Sequence, residues 1–279
     1  MNLIDMHTHS KNSPDAKNSV IEMCNQAIKL GFKAIAITDH VEINQPRWFE
    51  KDEQGNIIET DYFCDIFEHS MQDIAEAKEI FKGKINLIAG SEIGEMAQDK
   101  PLAKKYTSDK RLDFIIASNH EVTGYEDFYY LDFNKEDKNH LITLYFNELL
   151  EIATDCDFDV LGHLTYFLRY FAQQGFGDFS LAPYTEKIRE IFKQLVLRGK
   201  GIEINTSGIR QDFGKPFPTF EYVKMYKDLG GEILTVGSDA HFDYDVGKNI
   251  SDAINLAKEA GFKDIAYFLN RKPHFYSIR

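Results

Sequence analysis

The chain alternates short apolar runs with longer amphipathic stretches. Seven runs are rich in β-branched and other apolar residues, and each has the length of a strand. Their near-continuous apolar character is typical of strands that are buried on both faces. The predicted strands cover residues 2–6, 33–38, 85–90, 112–118, 158–162, 201–205 and 232–237.

Helical periodicity fills the intervals between these runs. Five of the helical stretches stop directly before a glycine, which is the usual residue at a left-handed helix end. The repeated order of strand and helix predicts an α/β fold with a parallel sheet and helices outside it, and both a barrel and a doubly wound sheet fit the order. The predicted helices cover residues 18–30, 62–82, 135–154, 182–198, 217–229 and 249–260, with a shorter one at 98–110.

Composition narrows the class of protein. The 279 residues show no linker or low-complexity tract, so one domain of barrel size is expected. The formal net charge of −13 argues against a general nucleic-acid or anionic-membrane surface. No apolar run reaches bilayer length and no signal-peptide pattern is present. The three cysteines are far apart, without C-x-x-C spacing, which favours a cytoplasmic protein.

Histidines and carboxylates collect where the apolar runs end. Six of the nine histidines follow a predicted strand, whereas His69, His140 and His274 lie elsewhere and are expected to be ordinary surface or packing residues. In a parallel α/β barrel the active site is built at these carboxyl ends, so the pattern favours the barrel. The polar residues at the strand ends are His7, His9, His40, Glu92, His120, His163, Asn205, Asp239 and His241.

Divalent metal ions would explain this set of side chains. Imidazoles and carboxylates gathered at one rim are costly to bury without a cation. Nitrogen and oxygen ligands without thiolate fit Zn, Mn or Fe. The ligands are too many for one ion, so two or three are expected, and a carboxylate such as Glu92 can bridge two of them.

The strand-end motifs resemble those of the polymerase-and-histidinol-phosphatase (PHP) family of metal-dependent phosphoesterases. They occur in order along nearly the whole chain, and the resemblance is strongest to the stand-alone histidinol-phosphatase branch. It implies a distorted (β/α)7 TIM-like barrel that holds three metals, formed by residues 1–279 as a single domain. The motifs are "DMHTHS", "ITDH", "GSEIG", "IASNHE", "GHLTY", "EINTSGIR" and "GSDAH".

The resemblance also implies which residues hold each metal. Asp15, in "SPDA", stands where many family members have a histidine, so Mn or Fe is as plausible as Zn at that site. An alternative role for Asp15 is a turn or helix cap ahead of the helix at 18–30. The implied sets are His7, His9, Glu92 and Asp239 for the first metal, Asp15, His40 and His241 for the second, and Glu92, His120 and His163 for the third.

Two arginines lie just beyond strand ends, and a guanidinium can grip phosphate oxygens with two parallel hydrogen bonds. Arg169 follows His163 by six residues and Arg210 closes "INTSGIR"; together they resemble the phosphate clamp of this branch, while a surface ion pair is the alternative for each. The long loop at 41–61 is predicted to help close the mouth through Trp48 and Phe49, with a packed flap as the alternative.

The predicted reaction is hydrolysis of a small phosphate monoester, L-histidinol phosphate, by a hydroxide bridging two metals, in histidine biosynthesis. The leaving-group acid is left open among Glu121, Asp239 and His241. An acidic, aromatic mouth would suit the imidazole and amine of that substrate, and Glu42, Glu121 and Tyr125 are the candidates to form it.

Two other activities stay open for this pattern. Amidohydrolases also begin with H-x-H after the first barrel strand, but no lysine stands at a strand end here and the last strand gives Asp-Ala-His. Within the PHP family, a nucleotide or a phosphotyrosyl protein is an alternative substrate. A non-catalytic binding module is disfavoured because the set of metal ligands is complete.

Overall fold

The structure is a computed structural model that describes residues 3–44 and 62–279. The predicted mouth residues Trp48 and Phe49 lie outside these ranges. Seven parallel strand positions form the sheet, and a short additional strand, β3, follows β2 after a break at Thr38 and Asp39. The strands are β1 (Ile4–Thr8), β2 (Ala34–Ile37), β3 (His40–Glu42), β4 (Asn86–Gly94), β5 (Phe114–Ser118), β6 (Val160–Leu161), β7 (Gly201–Asn205) and β8 (Leu234–Gly237).

The sheet closes on itself between its first and last strands. Its order is β1-β2-β4-β5-β6-β7-β8, with β3 paired to β4. Beyond β8, the Asp239 N–H donates to the His7 carbonyl at 2.8 Å, and the His9 N–H donates to the Ala240 carbonyl at 2.8 Å. The buried Asp5 carboxylate also accepts from the backbone and hydroxyl of Ser238. These bonds confirm the predicted distorted (β/α)7 barrel and exclude the open, doubly wound sheet.

Helices surround the barrel at the predicted places, with one addition. The first helix begins after Ser19, which forms a capping box with Glu22. The apolar faces of the strands and helices meet in one cluster of buried side chains. The helices are α1 (Val20–Lys29), α2 (Tyr62–Ile80), α3 (Lys100–Thr107), α4 (Lys138–Asp155), α5 (Leu168–Gln173), α6 (Thr185–Leu197), α7 (Phe220–Asp228) and α8 (Ile250–Glu259).

A hairpin after α8 was not predicted from the sequence. Strands β9 (Asp264–Leu269) and β10 (Lys272–Ser277) pair antiparallel across Asn270 and Arg271, both with positive φ. Two such residues make the tight turn that suits hairpins. Phe268 stacks on Phe114, and Arg271 pairs with Asp159 at 2.6 Å. The hairpin therefore packs against the amino ends of β5 and β6, opposite the metal-binding candidates.

The carboxyl end of β4 differs from the prediction. Glu92 was placed after the third apolar run, but β4 continues through it to Gly94 because β3 adds ladder pairs with Glu92, Ile93 and Gly94. Glu92 thus projects from a strand that is held on both edges, by β3 and by β5. In the ranges 3–44 and 62–279, no helix is both long and apolar enough to cross a membrane.

Candidate metal centre

Glu92 lies at the centre of the imidazole cluster. Its Oε2 is 3.2 Å from His7 Nε2, and it is 3.4 Å from His9 Nε2. The same carboxylate contacts three further imidazoles, so five imidazoles in all surround Glu92. Those contacts are with His40 at 3.1 Å, His120 at 3.3 Å and His163 at 2.7 Å.

Asp239 closes the opposite side of the cluster. Its backbone has φ +55°, a left-handed conformation that aspartate tolerates better than most residues. Its Oδ1 is 3.7 Å from His7 Nε2 and 3.5 Å from His9 Nε2. Its Oδ2 accepts hydrogen bonds from Asn205 and Ser207 at 3.3 and 3.2 Å. One oxygen is therefore anchored and the other faces the imidazoles.

Asp15 reaches the second predicted ligand set from a more exposed position. Its Oδ2 is 3.0 Å from His241 Nε2, and its Oδ1 is 3.8 Å from His40 Nε2. Burial raises the pKa of Asp15, but the His241 hydrogen bond and the His40 charge outweigh it, so the pKa is lowered. These contacts favour a role beside the imidazoles over the alternative of a simple turn cap.

Several polar atoms of the candidate ligands are buried without a hydrogen-bond partner. These atoms include Glu92 Oε2, His40 Nδ1 and His163 Nδ1. Burial lowers the pKa of His40, yet the charges of Glu92 and Asp15 raise it to about 9. Burial and the neighbouring His241 and His40 lower the pKa of His9 to about 3. A bound cation would displace the protons of the protonated imidazoles and take the place of their positive charge.

Several overlapping groups of side chains could each hold an ion. Their nitrogen and oxygen atoms lie within 4.8 Å of one another in each group. Glu92, His7, His9, His40 and His120 each belong to two of these groups, so most of the predicted ligands lie in one place, whereas Asp15 is in none of the groups. They are His9 with His40 and His241, His7 with His9 and Asp239, His7 with Glu92 and His163, His40 with Glu92 and His120, and Glu42 with Glu95 and His120.

Hydrogen bonds on the side away from the cluster fix His7 and His9. His7 Nδ1 is 2.7 Å from Glu203 Oε1, and the other oxygen of Glu203 accepts the His163 N–H at 3.0 Å. Gly237 leaves the space for this pair, since a Cβ there would collide with both Glu203 and His7. His9 Nδ1 meets the Ser13 hydroxyl at 3.1 Å, and Ser13 donates to a buried aspartate, Asp39, at 2.9 Å.

A pair of buried glutamates supports His120. Glu42 Oε1 lies 3.2 Å from His120 Nδ1, while Glu95 accepts the His120 backbone N–H at 2.6 Å. Burial and the charge of Glu42 raise the pKa of Glu95. Burial also raises the pKa of Glu42, but the charge of His120 outweighs it, so the pKa of Glu42 is lowered. The carboxylate of Glu42 and the backbone contact of Glu95 thus orient the His120 imidazole.

Sequence reasoning missed these supporting residues, although one signal was visible. Glu203 is a charged residue inside the apolar run "GIEIN", and a carboxylate without a partner is costly to bury in such a strand. Asp39 stands in "ITDH", directly before a candidate ligand. Glu95 carries no comparable signal, because its position depends on the left-handed turn that follows β4.

The two arginines of the predicted clamp take different places. Arg169 lies in α5, is nearly buried, and lines a cavity of about 470 Å³ together with the imidazoles. Its Nη2 is 3.3 Å from Asp239 Oδ2, and its guanidinium lies over the Tyr166 ring at 4.6 Å. Its Nε is buried without a partner and is free to donate to a ligand.

Arg210 lies behind the loop that follows β8. Its Nη2 donates to the carbonyls of Ser238 at 2.6 Å and Asp239 at 3.1 Å. It is not among the described residues that line the cavity, although its Nη1 also lacks a partner. A direct contact of Arg210 with phosphate stays a prediction. Its hydrogen bond to the Asp239 carbonyl is observed.

The predicted mouth residues are only partly at the mouth. Glu42 lines the cavity but is engaged with His40 and His120. Glu121 is buried and accepts a hydrogen bond from Asn44, and neither it nor Tyr125 is among the described lining residues. Other acidic and aromatic residues that line the cavity include Asp127, Tyr129, Tyr130, Tyr166 and Tyr170.

A parallel barrel whose carboxyl-end mouth gathers six imidazoles and several carboxylates is typical of metal-dependent hydrolases. The PHP domain family model matches residues 5–207. The chain belongs to the PHP domain family.

Similar proteins extend over almost the whole chain. A histidinol-phosphatase of Lactococcus lactis subsp. lactis is 28% identical over 287 residues, with 98% of this chain and 96% of that protein covered. A probable histidinol-phosphatase of Thermotoga maritima is 28% identical over 272 residues, with 95% of each chain covered.

A solved structure shares the fold. It is the crystal structure of histidinol phosphate phosphatase from Lactococcus lactis, complexed with Zn, L-histidinol and phosphate. The TM-score is 0.77 at 24% identity, and the match covers 98% of this chain and 99% of that chain.

Proposed function

We propose that residues 1–279 form a single metal-dependent phosphoesterase barrel that hydrolyses L-histidinol phosphate to L-histidinol and phosphate in histidine biosynthesis. The convergence of five imidazoles on Glu92, beside the buried Arg169, is the observation that carries the reaction class. The substrate is proposed from the histidinol-phosphatases that align over 95% or more of this chain.

The proposed cofactors are two or three divalent ions, Zn, Fe or Mn. His7, His9, Glu92 and Asp239 would hold the first. Asp15, His40 and His241 would hold the second, and Glu92, His120 and His163 the third. The exposed carboxylate of Asp15 adds an oxygen ligand to the second set, which suits Mn or Fe as well as Zn.

When bound, such ions lower the pKa of water toward neutrality and neutralise phosphoryl oxygens. Arg169 would bind and orient the phosphate through its free Nε, with Asp239 and Tyr166 holding its guanidinium in place. Arg210 would position Asp239 through two backbone carbonyls. Of the three candidates for the leaving-group proton, Asp239 and His241 line the cavity and Glu121 does not.

The remaining properties follow from this role. The substrate would be a small molecule, since the cavity is about 470 Å³ and the net charge of −13 opposes nucleic acid. The three cysteines form no disulfide with one another, which supports a cytoplasmic enzyme. Among the described residues that line the cavity there is no lysine, so the amidohydrolase alternative gains no support.

A phosphate-release screen tests the proposed function. The purified protein is loaded separately with Mn, Zn or Fe and assayed with histidinol phosphate, nucleoside monophosphates and bisphosphates, phosphotyrosine and p-nitrophenyl phosphate. We expect the highest kcat/KM for histidinol phosphate with at least one metal. A higher value for a nucleotide or phosphotyrosine would overturn the substrate and keep the reaction class; hydrolysis of hydantoins or dipeptides alone would overturn both.

Replacing Glu203 with glutamine is expected to weaken metal binding by about 10- to 100-fold, the usual cost of losing a carboxylate behind a ligating histidine. The substitution keeps the volume but removes the charge that fixes the tautomer of His7. Competition with a chelating dye measures the affinity. Glu232→Gln, at an exposed glutamate, is the control. Equal affinities for the two variants would show that Glu203 does not support the metal.

Metal binding is expected to strengthen as the pH rises. Without metal, the charges of neighbouring carboxylates overcome burial and raise the pKa of His7, His40 and His120, for His40 to about 9. These imidazoles therefore hold protons near neutral pH that a cation must displace. Calorimetric titrations in buffers with different ionisation enthalpies count the released protons. Affinity that is constant between about pH 6 and 9 would contradict this ligand assignment.

A further inference from the structure

A carboxylate at the mouth of the cavity, Asp127, forms no ion pair with a lysine or arginine of the described ranges. Asp127 is half-buried in the segment between β5 and α4. Its Oδ1 accepts the backbone N–H of Tyr129 at 2.7 Å and faces the Tyr166 hydroxyl at 3.4 Å. Its negative charge is therefore held in place and available.

Tyrosine rings form the walls around this carboxylate. The Tyr166 and Tyr170 hydroxyls are 2.8 Å apart, and the edge of Tyr129 meets Tyr170 at 5.9 Å between ring centroids. Tyr129 and Tyr130 are 64% and 59% exposed, which is unusual for two large rings in contact. A carboxylate flanked by aromatic rings is the arrangement that binds ammonium and imidazolium groups, by charge and by cation–π attraction.

The cavity joins this acidic end to the metal-binding end. Asp127, Arg169 and the imidazoles line the same space of about 470 Å³. The Tyr166 ring separates the two ends: Asp127 meets its hydroxyl, and the Arg169 guanidinium lies over its face at 4.6 Å. A phosphate at Arg169 would therefore place the rest of a short substrate toward Asp127, about one aromatic ring away.

We propose that Asp127, walled by Tyr129, Tyr166 and Tyr170, is the specificity-determining residue that binds the positively charged end of the phosphate monoester. This inference rests on the proposed function and adds to it: the enzyme selects substrates that carry an ammonium or imidazolium group a short distance from the phosphate. Burial raises the pKa of Asp127, and a ligand cation beside the ionised carboxylate would offset that cost.

The test compares Asp127→Asn with Glu126→Gln in the metal-loaded protein. Asparagine keeps the oxygen that accepts the Tyr129 N–H, and Glu126 is an exposed neighbour that does not line the cavity. For Asp127→Asn we expect kcat/KM on histidinol phosphate to fall by about 10- to 100-fold, the effect of losing one charge-assisted hydrogen bond. For p-nitrophenyl phosphate, which has no cation, we expect a change below about twofold. Glu126→Gln should match the wild type on both substrates.

Calorimetric binding of L-histidinol to the same proteins gives a readout without turnover. Loss of binding in Asp127→Asn alone would support the inference. An equal loss on both substrates, or none on either, would overturn it and leave the proposed function intact. A wild-type protein that does not hydrolyse histidinol phosphate would overturn the proposed function, and L-histidinol binding would then decide the inference alone: selective loss supports it, and absence of binding in the wild type overturns it.

Discussion

Replacing Glu92 with glutamine is expected to lower kcat for phosphate monoesters by about 1,000-fold or more, with the fold intact. Glu92 lies within 3.4 Å of His7, His9, His40, His120 and His163. Glutamine keeps the size and one oxygen but removes the negative charge that would bridge two cations. Steady-state kinetics after saturation with Mn, and metal content by mass spectrometry, measure the effect.

The control for this substitution is Glu76→Gln, at an exposed position of α2, which we expect to retain wild-type kinetics and metal content. Circular dichroism and a thermal melt of the metal-free proteins separate loss of chemistry from loss of fold. If Glu92→Gln kept full metal content and a kcat within about tenfold of the wild type, Glu92 would not be the shared ligand.

Replacing Arg169 with lysine is expected to lower kcat/KM by about 100-fold, even though the positive charge is retained. The planar guanidinium pairs with Asp239, packs between the Tyr166 and Phe217 rings, and keeps Nε free. Lysine keeps the positive charge but cannot reproduce the directions of the guanidinium hydrogen bonds or its packing between the rings. Initial rates over a range of substrate concentration, together with competitive inhibition by inorganic phosphate, measure the loss.

Two further arginine variants serve as a control and a comparison for Arg169→Lys. Arg189→Lys changes an arginine of α6 that pairs with Glu186, and we expect no effect. Arg210→Lys tests the second half of the predicted clamp: a rise in the inhibition constant of phosphate equal to that of Arg169→Lys would support direct contact, and a loss of kcat alone would support positioning of Asp239. Unchanged phosphate inhibition in Arg169→Lys would remove Arg169 from the phosphate site.

The barrel was predictable because its strands are short, apolar and separated by helices that end at glycines. The elements that were missed depend on contacts made only in the folded chain. Strand β3 exists because the three residues from His40 to Glu42 pair with the edge of β4. Helix α5 is six residues long, too short for a helical period to be visible. The β9–β10 hairpin lacks the glycine that usually marks its turn.

The metal-binding candidates were predictable for a related reason. A histidine after an apolar run has a known direction in a parallel barrel, so sequence order alone brings His7, His40 and His241 to one rim. Residues that hydrogen-bond to the candidate ligands or to their neighbours, such as Glu203 and Asp39, are positioned by strand register across the barrel, which the sequence does not reveal. The same holds for the orientation of Arg210 and for the approach of Asp127 to the cavity, which depend on how loops fold back.

The most direct test of the account is a diffraction measurement on crystals grown with Mn or Zn, with data collected on both sides of the absorption edge of the metal. We predict two or three anomalous peaks near Glu92, with ligand atoms at about 2.0–2.2 Å from imidazole nitrogens and carboxylate oxygens of the three sets named above. A loaded, active protein with no anomalous peak within coordination distance of His7, His120 and Glu92 would contradict it.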